Sequence, residues 1–100
     1  MFGLHVFCIF ALEINIYDMN HLIAPSLLSA DFGHLAQDIE MINRSETDWL
    51  HLDIMDGAFV PNISFGAPVI SSIRKHSKMV FDVHLMITDP IRYVDDFVKA

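Results

Sequence analysis

One hundred residues are enough for one modest domain. Apolar residues make up 53% of the chain, above the roughly 45–50% of ordinary globular domains, which argues against a disordered chain. Thirteen acidic against six basic side chains give a formal charge of −7, which opposes a nucleic-acid partner but leaves room for a local small-anion pocket.

The single cysteine, Cys8, excludes an intrachain disulfide and fits a reducing, cytoplasmic location. It lies in an apolar opening, "MFGLHVFCIFALEINIYD". The stretch from Phe2 to Leu12 is too short for a membrane-spanning helix of about 20 residues. It also lacks the positive start of a signal peptide, since the first Lys or Arg of the chain is Arg44. Residues 1–18 are therefore expected to be an appended segment outside the fold, upstream of a start at Met19. An unusual export segment and an extra element of the fold are the alternatives.

From there the chain alternates between two periods. Residues 21–28, "HLIAPSLL", read as a short buried strand. Residues 29–44 place Phe32, Leu35, Ile39 and Ile42 at helical spacing, with Asp31 or Ser29 as cap. Residues 48–55, "DWLHLDIM", alternate strictly, and 56–66 read as a loop in which Asp56, before Gly57, shapes the turn. Pro68 opens a second helix with an apolar stripe of Val69, Ile70 and Ile73, running to His76. Residues 79–87, "MVFDVHLMI", form the next strand, and Asp89 and Pro90 open a third helix whose Asp95 and Asp96 mark an exposed face. The order β-α-β-α-β-α predicts an α/β fold with a parallel sheet and crossover helices. Three strands cannot close a barrel, so the chain reads as the front part of something larger.

Within the strands, residues two apart point the same way. His51, Asp53 and Met55 therefore share one face of the second strand, and Asp82, His84 and Met86 one face of the third. If the strands are neighbours, His51, Asp53 and His84 converge, enough to hold a divalent transition metal with positions left open for substrate. A metal there polarises a substrate oxygen, and a carboxylate beside it removes a proton next to a carbonyl. The alternative is a set of satisfied core or rim side chains, with Met55 and Met86 as core filler. Asp82 reads either as a partner that orients an imidazole or as half of a structural ion pair. Ser26 carries no signal of its own, and His5, His21, His34 and His76 read as solvated.

Three blocks, "APSLLSADFGHL", "WLHLDIMDGAFVPNISFGAPV" and "DVHLMITDPIRYV", occur in order and closely resemble the ribulose-phosphate 3-epimerase family. The similarity runs from about Ile23 to Ala100. It implies the first part of a TIM (β/α)8 barrel, incomplete in this chain, with residues 19–100 as its first three βα units. It further implies a metal-dependent isomerase of the pentose phosphate pathway that interconverts D-ribulose 5-phosphate and D-xylulose 5-phosphate. Carried over by position, Ser26 contacts substrate, His51 and His84 bind the metal and substrate, and Met55 and Met86 line the site. Asp53 binds the metal and serves as one of two acid/base groups. One divalent ion (Zn2+, Fe2+, Mn2+ or Co2+), a sugar-phosphate substrate, no nucleic acid, no membrane and a homo-oligomeric full-length enzyme complete the expectation.

The departures are equally specific. The family's second catalytic aspartate, also its fourth metal ligand, and its phosphate-gripping loops lie on late strands that these 100 residues do not contain. Ala58 stands where the family often has histidine. An epimerase of a six-carbon ketose phosphate and a non-catalytic part-barrel that self-associates or binds a partner are the competing readings.

Overall fold

Two seven-residue runs of alternating sequence form a parallel pair, β1 (Trp49–Met55) and β2 (Val80–Met86). These strands belong to a computed structural model that describes residues 22–100. The appended segment, the start at Met19, Cys8, His5 and His21 lie outside the described residues. The pair is in register throughout, with His51 opposite Asp82, Asp53 opposite His84 and Met55 opposite Met86. Parallel neighbours need a crossover, and α2 (Ala67–Arg74) supplies it, with Pro68 in its first turn as expected. Around this unit stand α1 (Leu35–Asn43) before β1 and α3 (Pro90–Lys99) after β2. The expected α/β architecture with parallel strands is thus present.

Residues 22–26 were expected to be part of a strand reaching Leu28, and the structure shortens it. The segment runs beside β1: Ile23 O accepts from the N–H groups of Asp48 and Trp49, and Pro25 O accepts from His51 N–H. Pro25 has no N–H to return, and among the described residues the segment's only strand pairing is an isolated parallel bridge between Ser26 and His51. The chain then leaves the strand direction, because Ser26 Oγ accepts Leu28 N–H at 3.2 Å and caps a 3-10 turn over Leu27–Ser29. Leu27 is apolar because it enters the core from that turn, fully buried.

The first helix also starts later than its apolar spacing implies. Asp31 is the cap, as one of the two expected candidates, accepting from Gly33 N–H at 2.9 Å. The turn it caps is a 3-10 turn over Phe32–His34, with α1 following. Phe32 consequently misses the core, stays 44% exposed and meets Phe65 edge-on at 5.6 Å between ring centres. At α3 the N-cap position is Asp89 as expected, but its carboxylate makes no capping hydrogen bond. The second helix ends at Arg74, two residues early. Arg74 lies over the Phe81 ring and donates to the carbonyls of Ser77 and Met79, which ties the helix end to the start of β2.

One layer of the molecule is apolar. Leu50, Leu52 and Ile54 of β1 pack with Leu27, Ile39, Ile70, Ile73 and Ile87, all buried. Phe81, Val83 and Leu85 of β2 and Phe97 of α3 lean on the same cluster. The outward side of α3 is different: Ile91, Val94 and Val98 are exposed, as are Asp95 and Asp96. The opposite face of β1 carries His51, Asp53 and Met55, and these are buried as well. A strand buried on both faces is the usual condition of a parallel sheet. It places a carboxylate with no solvent exposure between two layers, where it needs partners.

Candidate metal centre

Asp53 finds those partners on three pieces of chain. Its Oδ1 lies 3.2 Å from His51 Nε2 on its own strand and 3.1 Å from His84 Nδ1 on β2. Its Oδ2 accepts from Ser26 Oγ at 3.3 Å, from the segment that precedes the first turn. The register explains the first two contacts, since His84 sits directly opposite Asp53 and His51 is two residues along the same face. Four of the six residues singled out in the sequence, Ser26, His51, Asp53 and His84, thus meet at one carboxylate. Met55 and Met86 are paired two ladder positions further along, both buried.

Asp82 has a definite role in this arrangement. Its Oδ2 lies 2.7 Å from His51 Nδ1. A carboxylate only accepts, so the ring N–H at Nδ1 donates, and Nε2 is left to face Asp53. The imidazole oriented is that of His51 across the ladder, not that of His84 two residues along the same strand. This is the carboxylate–histidine arrangement that fixes a metal-ligating ring.

The donor set fits a divalent metal ion. One atom from each of His51, Asp53 and His84 lies within 4.8 Å of the other two. With Nδ1–H given to Asp82, Nε2 is the ring nitrogen of His51 turned toward the Asp53 carboxylate, placed to serve as a metal ligand. Imidazole and carboxylate suit Zn2+, Fe2+, Mn2+ and Co2+. His84 is 54% exposed at its side chain, so one side of the trio is open to approach. Replacing Asp82 with Ala is expected to weaken Co2+ binding by about 10–100-fold, measured by competitive titration against a chromophoric chelator. Parent affinity in that variant would show that the His51 ring is held without the carboxylate.

Beyond β1 the loop is clamped at Ser64 and at Asp56, and the sequence revealed neither the Ser64 contacts nor the Thr88 partner of Asp56. Ser64 Oγ donates to the Asp53 carbonyl at 2.6 Å and accepts from Met55 N–H at 3.0 Å, serving the end of β1. Asp56 shapes the turn as expected, taking the N–H groups of Ala58 and Phe59 on Oδ1, both at 2.8 Å. Its Oδ2 also accepts from the N–H and hydroxyl of Thr88. Gly57 between them has φ +77°, and a Cβ there would come 2.7 Å from the Ile63 side chain, so only glycine suits the turn.

These four hydrogen bonds, led by the Phe59 and Ala58 amides, hold the Asp56 carboxyl far below its ordinary value of 3.8. A carboxyl depressed on folding contributes stability that is complete above its ordinary pKa and is lost as pH falls through the lower folded value. The side-chain carboxyl carbon of Asp56 is therefore expected to titrate well below pH 3.8 by NMR. A midpoint at the ordinary value would show the four bonds absent in solution. The other two described histidines lie elsewhere: His34 is exposed and bonds Asp31, while His76 is half-buried near Glu40.

Comparison with known proteins points to one group. A family model described as "Ribulose-phosphate 3 epimerase family" matches residues 22–100. The chain is 56% identical over 78 residues to "Ribulose-phosphate 3-epimerase, cytoplasmic isoform" of Oryza sativa subsp. japonica, covering 78% of this chain and 34% of the relative. It is 49% identical over 81 residues to the ribulose-phosphate 3-epimerase of Synechocystis, covering 81% and 35%. Against that of Rhodobacter capsulatus it is 48% identical over 84 residues, covering 84% and 37%. The chain spans about a third of the length of these curated relatives. His51, Asp53, His84 and Ser26 all fall inside the matched region. On this match, the chain belongs to the ribulose-phosphate 3-epimerase family.

Proposed function

We propose that the chain provides the amino-terminal part of a metal-dependent epimerase acting at C3 of D-ribulose 5-phosphate and D-xylulose 5-phosphate. The observation that carries this reading is the Asp53 carboxylate, closed off from solvent and held by His51, His84 and Ser26. The family is one of (β/α)8 barrels, whose chemistry sits at the C-terminal ends of the strands. In this proposal residues 19–100 are the first three βα units and residues 1–18 stand outside them.

His51, Asp53 and His84 would hold one divalent ion. When bound, it supplies positive charge beside a substrate oxygen and lowers the cost of the negative charge that develops as the C3 proton leaves. Asp53 divides its two oxygens between two tasks. Oδ1 faces the imidazoles, and Oδ2, held among the described residues by Ser26, takes the proton. Ser26 keeps that oxygen aimed and contacts substrate from the first strand segment. Met55 and Met86 wall the site with apolar surface that excludes water. Returning the proton to the opposite face needs a second acid, which the family resemblance assigns to an aspartate on a late barrel strand.

A sugar phosphate as substrate and a homo-oligomeric full-length enzyme belong to the same reading. So does a cytoplasmic location, supported by the name of the rice relative. Among the described residues no helix is long and apolar enough to cross a membrane.

The test uses the 100-residue chain with ribulose 5-phosphate and a divalent metal in heavy water, followed by proton NMR. Deuterium at C3 without epimerisation is the expected result, with Asp53 working on one face. Xylulose 5-phosphate carrying deuterium would mean that a full two-sided site assembles. Absence of any exchange would remove proton abstraction from what this chain does by itself. A six-carbon ketose phosphate run in parallel separates the substrate classes.

A further inference from the structure

The candidate centre is divided between two strands, with His51 and Asp53 on β1 and His84 on β2. The last ladder pair is Met55 with Met86, where both strands end. Among the described residues β2 has no strand on its other side, and its residues are more exposed than those of β1. Strand ends are where local opening begins. A frayed β2 would carry His84 away from Asp53.

One carboxylate bridges the gap just past the ladder. Asp56 is the first residue after β1 and Thr88 the second after β2. Asp56 Oδ2 accepts from Thr88 N–H at 2.9 Å and from Thr88 Oγ1 at 2.8 Å. Its other oxygen takes the Ala58 and Phe59 N–H groups, so the carboxylate cannot swing away without releasing its own loop. Hydrogen bonds to an ionised acceptor are roughly twice as strong as neutral ones. Among the described residues no side-chain hydrogen bond joins Asp56 or Thr88 to His51, Asp53 or His84.

We infer that Asp56 and Thr88 are positioning residues that pin the end of β2 to the end of β1 and so keep His84 against Asp53. This rests on His51, Asp53 and His84 being the site of the proposed function, but not on any metal being bound. The ladder sets the register, and the clip keeps its last pairs closed. Asp82 holds the His51 ring separately, so loss of the clip acts on one imidazole and spares the other.

The experiment is nitrogen-15 NMR of the imidazoles in the metal-free full chain, comparing the parent with Thr88→Val and Asp56→Ala. Thr88→Val keeps size and the backbone N–H while removing the hydroxyl donor, and it carries the test where Asp56→Ala fails to fold. The expected result is a shift of His84 Nδ1 toward a ring without a partner and several-fold faster exchange of its N–H. His51 stays unchanged, and Thr88→Ser restores the parent spectrum. A merely structural clip would lower the melting temperature and leave the His84 resonance of the folded chain in place. That outcome overturns the inference. A separate Co2+ titration of the parent reads the metal site itself, so absence of binding there counts against the proposed function while the imidazole spectra still decide the clip.

Discussion

Asp53→Asn, placed in a complete barrel carrying these residues, is expected to lower epimerisation by about 10²–10⁴-fold, the usual worth of a positioned acid/base group. The amide keeps the shape of the carboxylate and can still offer an oxygen to the imidazoles and a nitrogen to Ser26, so the buried position stays satisfied. On the proposed function, what it loses is the capacity to take the C3 proton, together with the negative charge that a metal would need. Substrate binding should be largely retained, because the resemblance places the phosphate-gripping loops on late strands, away from Asp53. Turnover and C3 deuterium exchange, set beside substrate affinity by calorimetry, separate these effects. Wild-type-like turnover would remove Asp53 from its assigned role.

Leu52→Ala should act on stability instead, at a cost of about 2–5 kcal/mol for truncating a closely packed core leucine. Leu52 is fully buried in the middle of β1, within the cluster that includes Ile39 and Ile70. Whole domains are stable by only about 5–15 kcal/mol, and the 79 described residues bury less surface in proportion than a larger domain would. The variant is expected to unfold at much lower urea, read by circular dichroism. A midpoint within error of the parent would mean that the neighbouring isoleucines close over the gap. Because His51 and Asp53 flank Leu52 on the same strand, a shift of this backbone also moves the site.

Much of this was legible in the chain. Strict alternation from Leu50 to Met55 placed His51 and Asp53 on one face, since the two-residue period of a strand allows nothing else. The same rule applied to β2 placed Asp82, His84 and Met86 together. Asp31 marked the 3-10 turn that leads into α1 and Asp89 the position before α3, although only Asp31 caps through its side chain; Pro68 and Pro90 marked first turns, because turn chemistry and a fixed φ are local properties. The lapses were also local in form but tertiary in cause. Leu27 and Leu28 look like strand residues, yet Ser26 Oγ turns the chain there. Phe32 fits a helical stripe, yet it lies in a 3-10 turn against Phe65 of a distant loop.

By itself, the sequence determined which side chains share a face and where the chain must turn, and its three motif blocks pointed to the family. Period, capping and turn chemistry act over a few residues and need no knowledge of neighbours. Only the tertiary structure decided the register of β2 against β1. A shift of two residues would keep every side chain on its own face while putting a different residue opposite Asp53. The register brings Asp82 to His51 rather than leaving it to His84, and it sets Met55 against Met86. The contacts of Ser26, Ser64 and Thr88 were decided the same way. Hydroxyl groups carry no pattern of their own, and their partners lie 27, 11 and 32 positions away along the chain.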